Sequence, residues 1–226
     1  MTAHYKKLRN VLSCELRIRG WFRVLKCLAF AELHHGGTRK DGVTPEFEHQ
    51  VTIALAAVSM IPMIKHPEET ICAILLHDTP EDADVEWSAI RAVIVGSMPD
   101  IFGENPDDVA FSRRVLQAVE KLTKVHFGAK KAFAAYLFEM IRDPISSLAK
   151  LMDRDHNLGT MVGVFTLAKI EEYIEETMEI LNMAKKARRL HPEQHAAYEI
   201  VKQSILSKLK LAGAYVDAAR AAGRER

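Results

Sequence analysis

The pairing His77-Asp78 is the most informative point in the chain. An imidazole nitrogen and a carboxylate oxygen on adjacent residues can reach one divalent cation if the backbone turns there, and the following Thr79-Pro80 supplies a turn. The pair ends an apolar run from Ile71 to Leu76, where polar groups need partners. Two other residues could supply them. His49 sits amid Phe47, Val51 and Ile53, and Asp153 falls four residues after Ala149 and eight after Ile145, on the apolar face of a helix. Taken singly, each has a plainer account: a polar helix end, a satisfied core histidine, and a carboxylate paired with Lys150 or Arg154. Taken together, two histidines and two aspartates converging from three helices make a divalent-metal site with room for water.

Glu81 and Asp82 follow this pair closely. They read either as acids at a helix start or, beside a metal, as acceptors of a proton from water. Arg39-Lys40, after Gly36-Gly37, suits phosphate or base stacking, or is a solvated loop pair. The basic run from Lys185 to Arg189 reads as a solvated helix face.

Elements must bring these residues together. Apolar residues recur at helical spacing along the chain with almost no sustained alternation, so the class is all-α. A first helix is expected from Tyr5 to Leu33, broken near Gly20 and stopped at Gly36-Gly37. Thr44-Pro45-Glu46 predicts a capped helix from Pro45 towards Met60, with His49 one turn inside. Pro67 opens the helix ending at His77-Asp78, and Thr79-Pro80-Glu81-Asp82 again reads as cap, proline and acids. Val85 to Val95 predicts a short helix and Gly96 to Pro106 a loop. Helices then follow at Asp107 to Lys124, Lys130 to Ile141 and Pro144 to about Asn157. A long helix spans Leu167 to Leu190, its acids early and its bases late as the helix dipole favours, and Pro192 opens the last.

Composition sets the class of protein. At 226 residues, with 48% hydrophobic and 27% charged residues, the chain is expected to fold as one domain, 1–226. Its net charge of +1 gives no basic field for gripping nucleic acid. Cys14, Cys27 and Cys72 form no CxxC pair and read as packed, reduced thiols. With no run of about 20 apolar residues and no secretory signal, a cytoplasmic protein without a membrane partner is expected.

In order and rough spacing, His34, Arg39-Lys40, His49, the segment Ala73 to Asp82, Lys121-Leu122-Thr123-Lys124 and Lys150 to Asn157 resemble the hydrolase domain of RelA/SpoT-type alarmone enzymes. The resemblance covers about 29–160. It implies an HD-domain helical bundle, a Mn2+ ion held by His49, His77, Asp78 and Asp153, and water handled by Glu81 and Asp82. It further implies that Arg39, Lys40, Asn157 and Thr160 line a guanosine and its phosphates. The domain core then lies at about 21–165, with an N-terminal helical extension and C-terminal helices. Only helical sequence follows Thr160, as in a stand-alone small hydrolase; an oligomer stays open.

The chain departs from the family's pattern at three places: Gln50 replaces the usual proline, Asp155 a leucine and Gly159 an arginine. The implied activity is removal of pyrophosphate from the 3′ position of (p)ppGpp, a small nucleotide. Asp155 and Gly159 keep open a nucleotide phosphatase of the same fold, acting for example on NADPH. A non-catalytic nucleotide-binding protein is a third reading, against which the acids at 81 and 82 speak.

Overall fold

The computed structural model describes residues 2–82, 85–95, 106–126 and 129–223. Helix α1 (Ala3–Ile18) is capped by Thr2, whose side chain accepts from the Tyr5 amide. Gly20 ends it with φ +71°, a left-handed turn that glycine adopts without strain, and α2 (Phe22–His34) follows. Tyr5 and Arg9 of α1 both bond the Glu32 carboxylate of α2, so the two helices are tied by polar as well as apolar contacts. Of the three expected packed thiols only Cys27 and Cys72 are buried. Cys14 is exposed, because α1 turns Tyr5, Leu12, Ser13 and Leu16 inward.

The expected helix from Pro45 begins later, as α3 (Glu48–Ser59), with Phe47 and not Thr44 at its cap position. The reason lies in the preceding loop. Asp41 accepts from the amides of Val43 and Thr44 and from the Thr44 hydroxyl, and Thr38 bridges Pro45, so Thr44 is committed to the loop. His49 is therefore the second residue of its helix.

Helix α4 (Pro67–Leu76) opens on its proline as expected, and from Glu69 to Leu76 every residue is buried. A helix buried on every face belongs at the centre of a bundle, and α4 packs against α2, α3, α7 (Pro106–Leu122) and α9 (Pro144–Thr160). The expected break after Asp78 is present: one turn, α5 (Thr79–Asp82), redirects the chain. Thr79 does not cap it, since its hydroxyl is buried without a hydrogen-bond partner among the described residues. Helix α6 (Trp87–Val95) follows, and the expected loop over 96–105 lies outside the described residues.

The helix expected from Lys130 starts only at Phe133, as α8 (Phe133–Met140). Lys130 instead belongs to a two-stranded antiparallel ribbon, β1 (Val125–His126) with β2 (Ala129–Lys130). Asp143 caps α9 through the amides of Ile145 and Ser146. Helices α10 (Leu167–Leu190) and α11 (His195–Ala221) close the bundle over α9. One hydrophobic cluster runs from Tyr5 in α1 to Ala219 in α11. No helix among the described residues is long and apolar enough to cross a membrane.

Candidate metal centre and nucleotide cavity

Three helices deliver the polar residues to one place: α3 brings His49, the C-terminal end of α4 brings His77-Asp78, and the middle of α9 brings Asp153. Ligand atoms of His49, His77 and Asp78 lie within 4.8 Å of one another. The Asp153 Oδ1 atom is 3.0 Å from His49 Nε2 and 3.8 Å from His77 Nε2. The plainer account of Asp153 holds as well, since Lys150 donates to its Oδ2 at 2.6 Å. Arg154 turns away to α10, where it bonds Glu176 and the Tyr173 carbonyl.

These groups fit a divalent cation, and His77 gives the test. Its Nδ1 lies 2.7 Å from the Ile74 carbonyl and must donate there, so the tautomer leaves the Nε2 lone pair facing the cavity. Among the described residues that Nε2 is buried with no partner in hydrogen-bonding geometry, 3.1 Å from Asp78 Oδ2. A lone pair aimed at carboxylate oxygens is repelled unless a positive charge stands between them. Burial pulls the His77 imidazole down, but Asp78 and Asp153 outweigh burial and hold its pKa well above the ordinary value, so a proton can take the cation's place. Burial raises the Asp78 carboxyl, yet His77 more than compensates and holds it at about 2. Asp153 is likewise held low against burial, chiefly by Lys150 and then by the two histidines.

Around the centre lies a cavity of about 430 Å³. Arg39, Lys40, Asn157 and Thr160 all line it. Arg39 donates to Asn157 Oδ1 at 3.1 Å and reaches Thr160 at 3.5 Å, while Asn157 Nδ2 donates to Asp153 Oδ1 at 2.7 Å. The basic loop and the metal centre are thus joined through one asparagine. Lys40 sits 4.6 Å over the Phe165 ring, which meets Tyr173 edge-on.

Glu81 lines the cavity too, but its Oε1 accepts from the backbone amides of Lys124 and Val125, anchoring β1. Asp82 ends α5, and its side chain lies outside the described residues. His34 is not among the lining residues; its ring packs on Phe30.

Several further residues complete the site. Gln50 is 1% exposed and donates to Asp78 Oδ2 at 3.0 Å. His156 faces His49, and Lys124, Tyr136, Phe165 and Tyr173 line the walls. The first two and Lys124 stand inside or beside the motifs quoted above, a signal that was available; the aromatics carried none. The departures at 155 and 159 also find their explanation. Asp155 pairs with Lys208 of α11 at 2.8 Å, and the stem of that lysine passes Gly159. Neither residue is among those lining the cavity.

The all-α bundle is consistent with an HD domain, and its His49, His77 and Asp78 form a triad that fits a metal-dependent hydrolase. The chain belongs to the RelA/SpoT family through the hydrolase domain of that family. It is 30% identical over 159 residues, 70% of its length, to the guanosine-3′,5′-bis(diphosphate) 3′-pyrophosphohydrolase of Aquifex aeolicus. It is 30% identical over 158 residues to the bifunctional (p)ppGpp synthase/hydrolase SpoT of Escherichia coli, and 29% identical over 163 residues to a GTP pyrophosphokinase of Streptomyces antibioticus. The chain spans about a fifth of the length of these curated relatives, 20%, 20% and 17% in turn. No family model matches it.

Proposed function

We propose that the protein is a Mn2+-dependent hydrolase that removes pyrophosphate from the 3′ position of (p)ppGpp. The observation that carries the reading is the buried His77 Nε2, with ligand atoms of His49 and Asp78 within 4.8 Å and Asp153 beside the two histidines, in a cavity also lined by Arg39, Lys40 and Lys124. The similarity to relatives named as (p)ppGpp hydrolases supports the substrate. One domain carries the activity, with the helices at both ends sharing its core.

His49, His77, Asp78 and Asp153 hold the ion, which supplies Lewis-acid stabilisation and a more acidic water when bound. Lys150 and Asn157 fix the Asp153 carboxylate from its two sides. Arg39, Lys40 and Lys124 offset the phosphate charge, and Asn157 and Thr160 complete the wall for the guanosine. Glu81 or Asp82 accepts the proton of the attacking water. The water oxygen bonds to phosphorus as the bond from that phosphorus to the 3′ oxygen breaks, releasing pyrophosphate, and the 3′ oxygen takes up a proton to become the hydroxyl of GDP. Asp155 and Gly159 bear on α11 and not on the cavity, so they give no support to a different substrate.

The test is to incubate the purified protein and Mn2+ with ppGpp and, separately, with NADPH, and to identify the products. GDP and pyrophosphate from ppGpp are expected. Turnover of NADPH alone identifies a phosphatase of the same fold, and turnover of neither identifies a binding protein.

A further inference from the structure

Gln50 lies at the third residue of α3, buried at 1% exposure beside the metal centre. Its Nε2 donates to Asp78 Oδ2 at 3.0 Å, the same oxygen that stands 3.1 Å from His77 Nε2. Its other amide atom, Oε1, is buried with no hydrogen-bond partner among the described residues. The orientation follows from charge: turning the amide over would set a carbonyl oxygen against the Asp78 carboxylate. A residue kept for packing alone has no reason to bury an unpaired carbonyl, because an apolar side chain of that length fills the space without the desolvation cost. An amide brings its carbonyl along with its donor, and the donor is the half that is used.

We propose that Gln50 is a positioning residue for the metal: it pins Asp78 Oδ2 so that the carboxylate presents its remaining lone pairs to an ion shared with His77 and His49. The inference rests on the metal-dependent reading above. Asp78 lies two residues past the end of α4, where the chain turns into α5, and its side chain is the least buried of the candidate ligands. A carboxylate at a turn has rotamers that a ligand buried in a helix lacks. Holding one oxygen from the neighbouring helix removes that freedom before the ion arrives. Partners of ligating side chains act in this way, and their loss costs about 10- to 100-fold in metal affinity.

The experiment compares wild-type protein, Gln50→Met and Gln50→Asn, measuring Mn2+ binding by calorimetry and thermal unfolding without metal. Methionine keeps length and volume but removes donor and orphaned acceptor together; asparagine keeps the amide one methylene short of Asp78. The expected result is Mn2+ binding weakened about 10- to 100-fold in Gln50→Met, with a metal-free unfolding midpoint equal to or above wild type. Gln50→Asn is expected to bind weakly as well, and it decides the matter if the methionine variant does not fold. Wild-type affinity in the variants overturns the inference while leaving the metal site standing. So does a loss of affinity matched by a lower midpoint, which makes Gln50 merely structural. Failure of wild-type protein to bind Mn2+ overturns both readings.

Discussion

His49 and His156 meet nitrogen to nitrogen, their Nδ1 atoms 2.8 Å apart and their rings edge to face. Two facing ring nitrogens share one proton, so one donates and the other accepts. If His49 keeps its Nε2 lone pair for a cation, its Nδ1 carries the proton and His156 is the acceptor. Burial, and then the charges of His49 and Arg39, push His156 down to about 3, which keeps it neutral and able to accept. Replacing His156 with Leu is expected to weaken Mn2+ binding by about 10- to 100-fold, whereas Gln, with a carbonyl acceptor, retains most of it. Calorimetry on the two variants checks this. Equal binding by both would remove His156 from any part in orienting His49.

Ligand and proton acceptor can be told apart at Asp78 and Glu81. Asp78→Ala removes a coordinating oxygen, so metal binding and turnover are expected to vanish together. Glu81→Gln with Asp82→Asn removes basicity while keeping size. The amide carbonyl that Glu81→Gln introduces can still accept from the Lys124 and Val125 amides that Glu81 now holds. Mn2+ is expected to bind as before and turnover to fall by roughly 10²-fold or more. A folded double variant that cannot bind metal would make these acids ligands, and one with full activity would make them helix-start and ribbon-anchoring charges.

The parts of this site that were legible in the sequence are those where composition and burial conflict. His77-Asp78 stands out because it ends an apolar run, and Asp153 because its helical phase is apolar, and the structure brings both to His49. Helix starts set by Pro67 and Pro144 were also legible, since proline fixes the backbone locally. What escaped depended on partners far along the chain. Thr44 looks like a cap until Asp41 takes its hydroxyl, and Lys130 looks helical until it pairs in the ribbon. Gln50 and His156 have no periodicity of their own, and only the convergence of α3, α4 and α9 gives them roles.

Asp41 links the basic loop to pH. Its carboxyl is lowered from 3.8 to about 2, first by the Thr44 hydroxyl and then by the amides of Val43 and Thr44. The folded value lies below the unfolded one, so this stabilisation is complete above about 3.8 and is lost as pH falls through about 2. Amide exchange at Val43 and Thr44 is therefore expected to accelerate, relative to its intrinsic rate, as the solution is taken from pH 5 towards pH 2. Asp41→Asn should exchange faster at pH 5 and lose most of that pH response. Because this loop carries Arg39 and Lys40, the same variant is expected to raise KM more than it lowers kcat. A protection pattern indifferent to both pH and substitution would dissociate Asp41 from the loop.

Lys208 couples the end of α9 to the C-terminal helix. Its Nζ reaches the Asp155 carboxylate at 2.8 Å and the Asp155 carbonyl at 2.9 Å, and its Cε passes 3.4 Å from where a Cβ on Gly159 would stand. At that distance Gly159→Ala makes ordinary contact and is expected to be tolerated. Gly159→Arg brings a longer side chain and a like charge beside Nζ, and is expected to displace the lysine. Both members of the Lys208 and Asp155 pair are partly exposed, so Lys208→Met should cost only about 0–1 kcal/mol. The informative quantity is the coupling between positions. With the lysine already gone, Gly159→Arg has no charge to repel and less to push aside, so it should be less harmful, or more helpful, in the Lys208→Met background than alone. Urea denaturation of the two single variants and the double variant measures the difference. Additive effects would mean that Gly159 is not kept clear for Lys208, and the glycine at the end of α9 would then lack an explanation in the packing of α11.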